Sequence, residues 1–426
     1  MTTSRSSATS TDDAPAAPAS GRLGRYRHLP ALAGKNFLPS GFLARLPLAM
    51  ITVGALTLVT AASGSYALGG MAAGAVGIGS AAGAPAQGYL ADRKGQRAVL
   101  LAAAAAHAVA IAGLLVAAGT APGPAGAAVN LAAALMVGLT CPQVGPLARV
   151  RWMAMTERRR ELRDTALSYE STADELTFVL GPALVGLLAA LVAPWLPFVL
   201  AAVLTITMVP AFAVHPTHRT VHPAARAGQT AEGLPARSRP GWLLPAAVPA
   251  LGMAAMGAFF GAVQAALSAF GGSFGAAESA GLLYAVLGLS SAATALSVAF
   301  WPERFAHTSR WVLCSGAMLA GAALLLLPQS PAPMVAALLA AGLPVGPVMV
   351  TVYSIGGLVA PAERLGTVMT MLASGVVLGA ALGAAVAGGV AQAHGHTGAF
   401  LVAAAAAAAM LLVSLLGVRA VCTRRS

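Results

Sequence analysis

The feature that most constrains this chain is a succession of apolar runs, each about 20 residues long and almost free of charge. A helix of about 20 residues rises about 30 Å, the thickness of a bilayer's hydrocarbon core, where each backbone amide must be satisfied within its own segment. Such runs fall at 41–61, 66–90, 98–118, 126–148, 165–188 and 193–213. Six more follow at 243–268, 279–300, 311–328, 332–356, 366–391 and 397–418. Only 9 % of the 426 residues are charged against 58 % hydrophobic, which excludes a water-facing globular surface. The runs therefore predict an all-α membrane protein with twelve transmembrane helices.

Charge placement supports an even number of crossings. Lys and Arg total 25 against 13 acids, a net charge of +12. The basic residues are scattered over short loops, so they read as topology signals and not as a nucleic-acid footprint. With the N-terminus inside, Arg93, Lys94 and Arg97 fall in loop 2–3, Arg149 to Arg163 in loop 4–5, and Arg219 to Arg239 in a central linker. Arg304 and Arg310 fall in loop 8–9, Arg364 in loop 10–11, and Arg419, Arg424 and Arg425 in the tail. The predicted outer loops contain no Lys or Arg, which places both termini in the cytoplasm. The expected division is a disordered tail over 1–36, a six-helix bundle over 37–213, a linker over 214–241, a second bundle over 242–418 and a tail over 419–426. No cleavable leader is visible in the Ser-, Thr-, Ala- and Pro-rich start. Cys141, Cys314 and Cys422 are odd in number and far apart, so neither disulfide nor metal site is indicated.

Internal repetition points to two equivalent halves. QVGPLARVRW at 143–152 and PVGPVMVTVY at 344–353 share VGP, 201 residues apart. ADRKGQR in loop 2–3 faces PERFAHT in loop 8–9, 211 residues on. Similar offsets suggest two pseudo-symmetric six-helix bundles, a plan that gives transporters a central cavity and a rocking motion about it.

The string GYLADRKGQR, Gly88 to Arg97, carries a family resemblance. It resembles the loop 2–3 signature of the major facilitator superfamily: Gly88, Leu90, Asp92, Arg93, Gly95 and Arg97 match, and Gln96 departs from the pattern. Gly95 permits a tight reversal and Gly88 a close helix approach. Asp92 is positioned to meet the positive N-terminal end of a helix in the other half, as an electrostatic latch. The resemblance implies alternating-access transport over about residues 37–418, without naming a cargo.

The fifth run holds three acids inside an apolar helix, Glu170, Asp174 and Glu175. At ~1.5 Å per residue from Thr165 they lie roughly 8 Å to 15 Å deep, where an ionised group costs about 2.5–3.5 kcal/mol. Glu170 and Asp174, four apart, share a face; Glu175 is rotated by about 100°. In the second half the corresponding positions are Leu372, Val376 and Val377. Arg45, the only basic residue within a predicted run, is the expected ion-pair partner of Glu170. No second buried cation is visible, so Asp174 and Glu175, with Glu170, are proton-coupling candidates. Gly181-Pro182 with Gly186 resembles part of the fifth-helix motif of drug/proton antiporters in the same superfamily, and is also what any membrane helix uses for a packing kink. Gln143 and Tyr353 are candidate cargo contacts, with interhelical hydrogen bonding as the alternative; His107 reads as a structural histidine.

No Walker loop, zinc spacing, nucleophile elbow or CxxC pair occurs, so neither an enzyme, a metal site nor a cofactor is expected. The reading is a secondary transporter of the plasma membrane, most consistent with proton-coupled export of small amphipathic molecules by a monomer. A proton-coupled importer of a sugar, amino acid or other metabolite is the alternative, and a non-transporting membrane scaffold the different class. Two lysines against 23 arginines, with abundant alanine, suggest a GC-rich bacterial gene.

Overall fold

Glycine and alanine surfaces let the helices of this chain lie backbone to backbone. The computed structural model describes residues 24–120, 126–222, 242–275, 280–302 and 304–422, all helix, turn or coil without a strand. The first half comprises α1 (Gly24–Ala33), α2 (Phe37–Leu43), α3 (Leu46–Ser63), α4 (Tyr66–Lys94), α5 (Gln96–Thr120), α6 (Ala127–Thr140), α7 (Val144–Met155), α8 (Arg160–Leu191) and α9 (Leu196–Val214). The second comprises α10 (Leu243–Ser273), α11 (Ala280–Ser297), α12 (His307–Leu324), α13 (Pro331–Gly342), α14 (Val345–Val359) and α15 (Leu365–Cys422).

Among the described residues, ten helical stretches are long and apolar enough to cross a membrane, against the twelve runs expected. Two local causes account for the difference. The polar opening of α12, His307-Thr308-Ser309-Arg310, dilutes its apolar run. The last two expected runs form one continuous stretch, Ala362–Gly417, interrupted at Gly395, whose φ of 66° only glycine adopts readily.

The apolar cores divide near the middle of the chain. Residues from Leu29 to Ala213 form two clusters, and residues from Ala246 to Met410 form a third, which Val150, Met153 and Leu167 join from the first half. Two helix breaks fall just before the two VGP strings. The fourth run breaks after Thr140 and restarts as α7 at Val144, and the tenth breaks after Gly342 and restarts as α14 at Val345. In each half a glycine before the break meets backbone of a neighbouring helix: Gly138 against Val76 of α4, and Gly342 against Leu287 of α11. Gly181 lies against Ala49 of α3, and its counterpart Gly383 against Ala258 of α10. A side chain at any of these positions would push the helices apart.

Three boundaries differ from expectation. Residues 24–33 of the expected disordered tail form α1, because Leu29 and Ala33, one turn apart, bury in the cluster containing Phe37 and Trp152. The rest of that tail, residues 1–23, lies outside the described residues, as do 223–241 of the linker and 423–426. The start of the linker is ordered by a turn of 3-10 helix at Pro216–Thr220. At the other end α15 continues to Cys422, past the expected limit at 418.

Candidate functional site

The fifth-run acids sit on α8 facing three neighbours. Glu170 and Asp174 share a face towards α3 and α7, and Glu175 turns to α11. Arg45, at the junction of α2 and α3, donates to Glu170 Oε2, and Trp152 Nε1 donates to Glu170 Oε1 at 2.6 Å. Arg149 Nη2 donates to Asp174 Oδ2 at 2.8 Å, and Arg45 Nη1 stands 3.6 Å from Asp174 Oδ1. Arg45, Glu170 and Arg149 are buried; Asp174 keeps 14 % exposure. A guanidinium face completes the cluster, with Arg149 Cζ stacked 3.8 Å from the centroid of Tyr353 on α14.

This geometry corrects two expectations. Arg45 is not the only cation in a membrane run: the fourth stretch extends to Met155, and Arg149 and Arg151 lie within it, both 0 % exposed. Asp174 therefore has a buried cation of its own. Arg151 does not join the cluster. Its Nε donates to Gln96 Oε1 at 2.8 Å and its Nη1 to Phe212 O at 2.8 Å and Thr217 Oγ1 at 3.1 Å, tying α7 to the start of α5 and the end of α9. Gln96, the departure from the loop signature, thus has a specific partner.

Glu175 is placed differently. It is buried, and no cation faces it among the described residues. The Ser291 hydroxyl and Tyr284 lie beside it on α11. One turn away Thr172 Oγ1 donates to Ala292 O at 3.2 Å, so Glu175 sits in the α8–α11 seam between the first and second halves of the chain.

A cleft opens next to the charge cluster. Arg45, Gln143, Gly145 and Asp174 line it from the first half, and Tyr353 and Ser374 from the second, between apolar walls that include Leu48, Phe178, Met349 and Val376. Gln143 and Tyr353 both line it while themselves nearly covered. Gln143 also serves the break between α6 and α7, its Nε2 donating to Cys141 O at 3.0 Å while its backbone N–H donates to Gln87 Oε1 at 3.3 Å. Pro182 lies inside α8 without interrupting it, and Gly186 touches no neighbour. His107 is buried, with Nδ1 3.3 Å from Thr140 Oγ1.

Helix caps cross between the two halves of the chain near Arg93 and Arg364. Asp92, near the C-terminus of α4, accepts from Gly366 N at 2.8 Å, Thr367 N at 2.7 Å and Thr367 Oγ1 at 2.6 Å, so it caps N–H groups at the start of α15 that have no partner within the helix. Gly88 makes the approach possible, since a Cβ there would stand 2.6 Å from Gly366 O. Gly95 turns the chain with φ 93°, Arg93 Nη1 donates to Tyr89 Oη at 2.8 Å, and Leu90 and Arg97 are exposed. From α1, Arg25 Nη1 donates to Ala299 O at 2.6 Å and Tyr26 Oη to Leu296 O at 2.7 Å, capping the carbonyl end of α11. Among the described residues no group of His, Cys, Asp and Glu could hold a metal ion.

The architecture has well-defined relatives among solved structures. The human organic anion transporter MFSD10 (TETRAN) superposes with a TM-score of 0.66 at 19 % identity, over 90 % of this chain and 99 % of that one. A bacterial homologue of the iron transporter ferroportin, in an outward-facing state with soaked iron, gives 0.68 at 14 %, over 90 % and 98 %. The proton:xylose symporter XylE bound to 6-bromo-6-deoxy-D-glucose gives 0.64 at 14 %, over 89 % and 94 %. At such identities these likenesses establish the fold alone. No curated protein matches the sequence. The family model of the Major Facilitator Superfamily matches residues 37–370. The chain thus belongs to that superfamily: it is a multi-pass membrane transporter carrying a small-molecule cargo, and not an enzyme.

Proposed function

We propose that the protein crosses the membrane twelve times, as two six-helix bundles with cytoplasmic termini, and exports small amphipathic molecules in exchange for protons by alternating access. Two features support the crossing number. At ~1.5 Å per residue the 58 residues of α15 would span about 87 Å, far beyond one bilayer, so the Gly395 break divides two crossings. The apolar part of α12 packs in the same core as α10, α13 and α15. With twelve crossings the basic loops share one side, the cytoplasmic one by the positive-inside rule, and the caps made by Asp92, Arg25 and Tyr26 close that side. The functional unit is a monomer in a bacterial plasma membrane.

Glu175 carries the coupling argument. Glu170 and Asp174 are committed to Arg45, Arg149 and Trp152, which leaves Glu175 as the buried carboxylate without a cation, beside the Ser291 hydroxyl. It lies where α8 meets α11, so separation of the halves changes its surroundings from protein to water. A carboxylate in that position binds a proton in one state and releases it in the other. The apolar walls of the cleft suit an amphipathic cargo better than a sugar, which needs many hydroxyl partners. Accumulation of amphipathic dyes in cells with and without the protein, across a range of external pH, tests this reading. Lower accumulation that a protonophore abolishes supports export; higher accumulation in expressing cells contradicts it.

A further inference from the structure

The two glycines that begin α7 and α14 occupy the same place in the repeat but face different surroundings. Gly346 is pressed against Ser291 O and Ala295 of α11, so its missing side chain serves helix contact. Gly145 faces no backbone. A Cβ there would stand 3.1 Å from Asp174 Oδ1, 3.4 Å from Arg45 Nε and 3.6 Å from Arg149 Nη1, all polar side-chain atoms. Gly145, Arg45 and Asp174 also line the cleft.

The niche over Gly145 is rich in unused donors. Arg45 Nε and Arg149 Nη1, the two donors that face Gly145, are buried without a hydrogen-bond partner, on side chains that are 5 % and 0 % exposed. Buried N–H groups lacking acceptors are costly, and a ligand acceptor removes that cost. Charge narrows the choice of acceptor. Two guanidinium groups and two carboxylates cancel, so an added carboxylate would bury one unpaired negative charge, and an ammonium would face two cations. A neutral acceptor satisfies the donors and leaves the balance intact.

We propose that the niche over Gly145 receives a neutral carbonyl oxygen of the cargo, as in an amide, ester or ketone, while its apolar part lies along Leu48, Phe178, Met349 and Val376. This rests on the reading of the cargo as amphipathic and specifies its polar group. The test is equilibrium binding to the full-length protein in lipid nanodiscs of three probes of similar size: N-benzylacetamide, 3-phenylpropanoate and 3-phenylpropylammonium. The amide is expected to bind wild type about tenfold or more tighter than either ion, the order of one hydrogen bond to a charged donor. Gly145→Ala, whose methyl would stand 3.1 Å from Asp174 Oδ1, is expected to remove that advantage in folded protein. Asp174→Asn leaves one net positive charge in the cluster and is expected to make 3-phenylpropanoate the tightest of the three; this arm decides alone if the alanine variant does not fold. Tightest binding of either ion to wild type, unchanged amide binding by folded Gly145→Ala, or an unchanged probe order in Asp174→Asn overturns the niche and leaves the amphipathic reading standing. Failure of all three probes to bind wild type overturns both.

Discussion

Arg45 and Glu170 form a buried ion pair, and the surroundings predict an asymmetric response to cutting it. Arg45→Met leaves Glu170, 1 % exposed, with the neutral Trp152 N–H at 2.6 Å as its remaining hydrogen bond. A buried charge stranded in this way costs about 3–5 kcal/mol. Glu170→Gln strands less. Arg45 keeps Asp174 at 3.6 Å, and the new amide oxygen still accepts from Trp152, so the cost falls to about 1–3 kcal/mol. In the double variant no charge is left alone at position 170, and the combined loss should fall short of the sum by about 1.5 kcal/mol or more. Thermal unfolding in one detergent of wild type, both single variants and the double variant gives the order. The expected ranking puts Arg45→Met below Glu170→Gln, with the double variant no worse than Arg45→Met. Additive losses, or a Glu170→Gln variant as damaged as Arg45→Met, would refute the pairing argument.

The cytoplasmic caps make further predictions. Asp92→Asn weakens three charge-assisted bonds to the start of α15 and should shift the two-state balance by about 1–2 kcal/mol, read as a longer spin-label distance between the basic ends of α4 and α15; an unchanged distance distribution contradicts the latch. Gly88→Ala should give the same widening by steric means, because its Cβ would stand 2.6 Å from Gly366 O; transport and distances equal to wild type would show that the helices do not need this approach. Tyr26→Phe removes a 2.7 Å bond to the end of α11 and should speed hydrogen exchange in α1, while unaltered exchange would mean that α1 is held by its apolar face alone.

The residues that were legible in the sequence were those whose role follows from one segment. Apolar runs marked the helices, and the repeated VGP marked the restart of α7 and α14. Asp92 in the loop signature anticipated a helix cap, because a carboxylate suits the positive N-terminal end of a helix. Arg149 and Trp152 were missed, since the run ending at 148 put them in a loop. A signal was present: the repeat places Val350 and Val352 opposite Arg149 and Arg151, where loop residues would have no reason to match an apolar helix. Span Ala127–Met155 continues past the break at Cys141 to Gln143, and hydropathy windows end such a run at its first arginine. The separation of Glu175 from its two neighbours was readable as a 100° rotation, but its destination at α11 was not, because contacts between halves have no local sequence signature.

Proton flux through reconstituted protein tests the central claim most directly. Proteoliposomes carry a pH-sensitive dye in the lumen, at equal pH on both sides and with the membrane potential clamped, and N-benzylacetamide is added outside. Inward movement of the amide in exchange for protons alkalinises the lumen in wild type, and Glu175→Gln abolishes the signal while still exchanging labelled amide between equal pools. Acidification of the lumen, no change in pH during amide uptake, or an undiminished signal in Glu175→Gln would contradict an antiporter that carries its proton on Glu175.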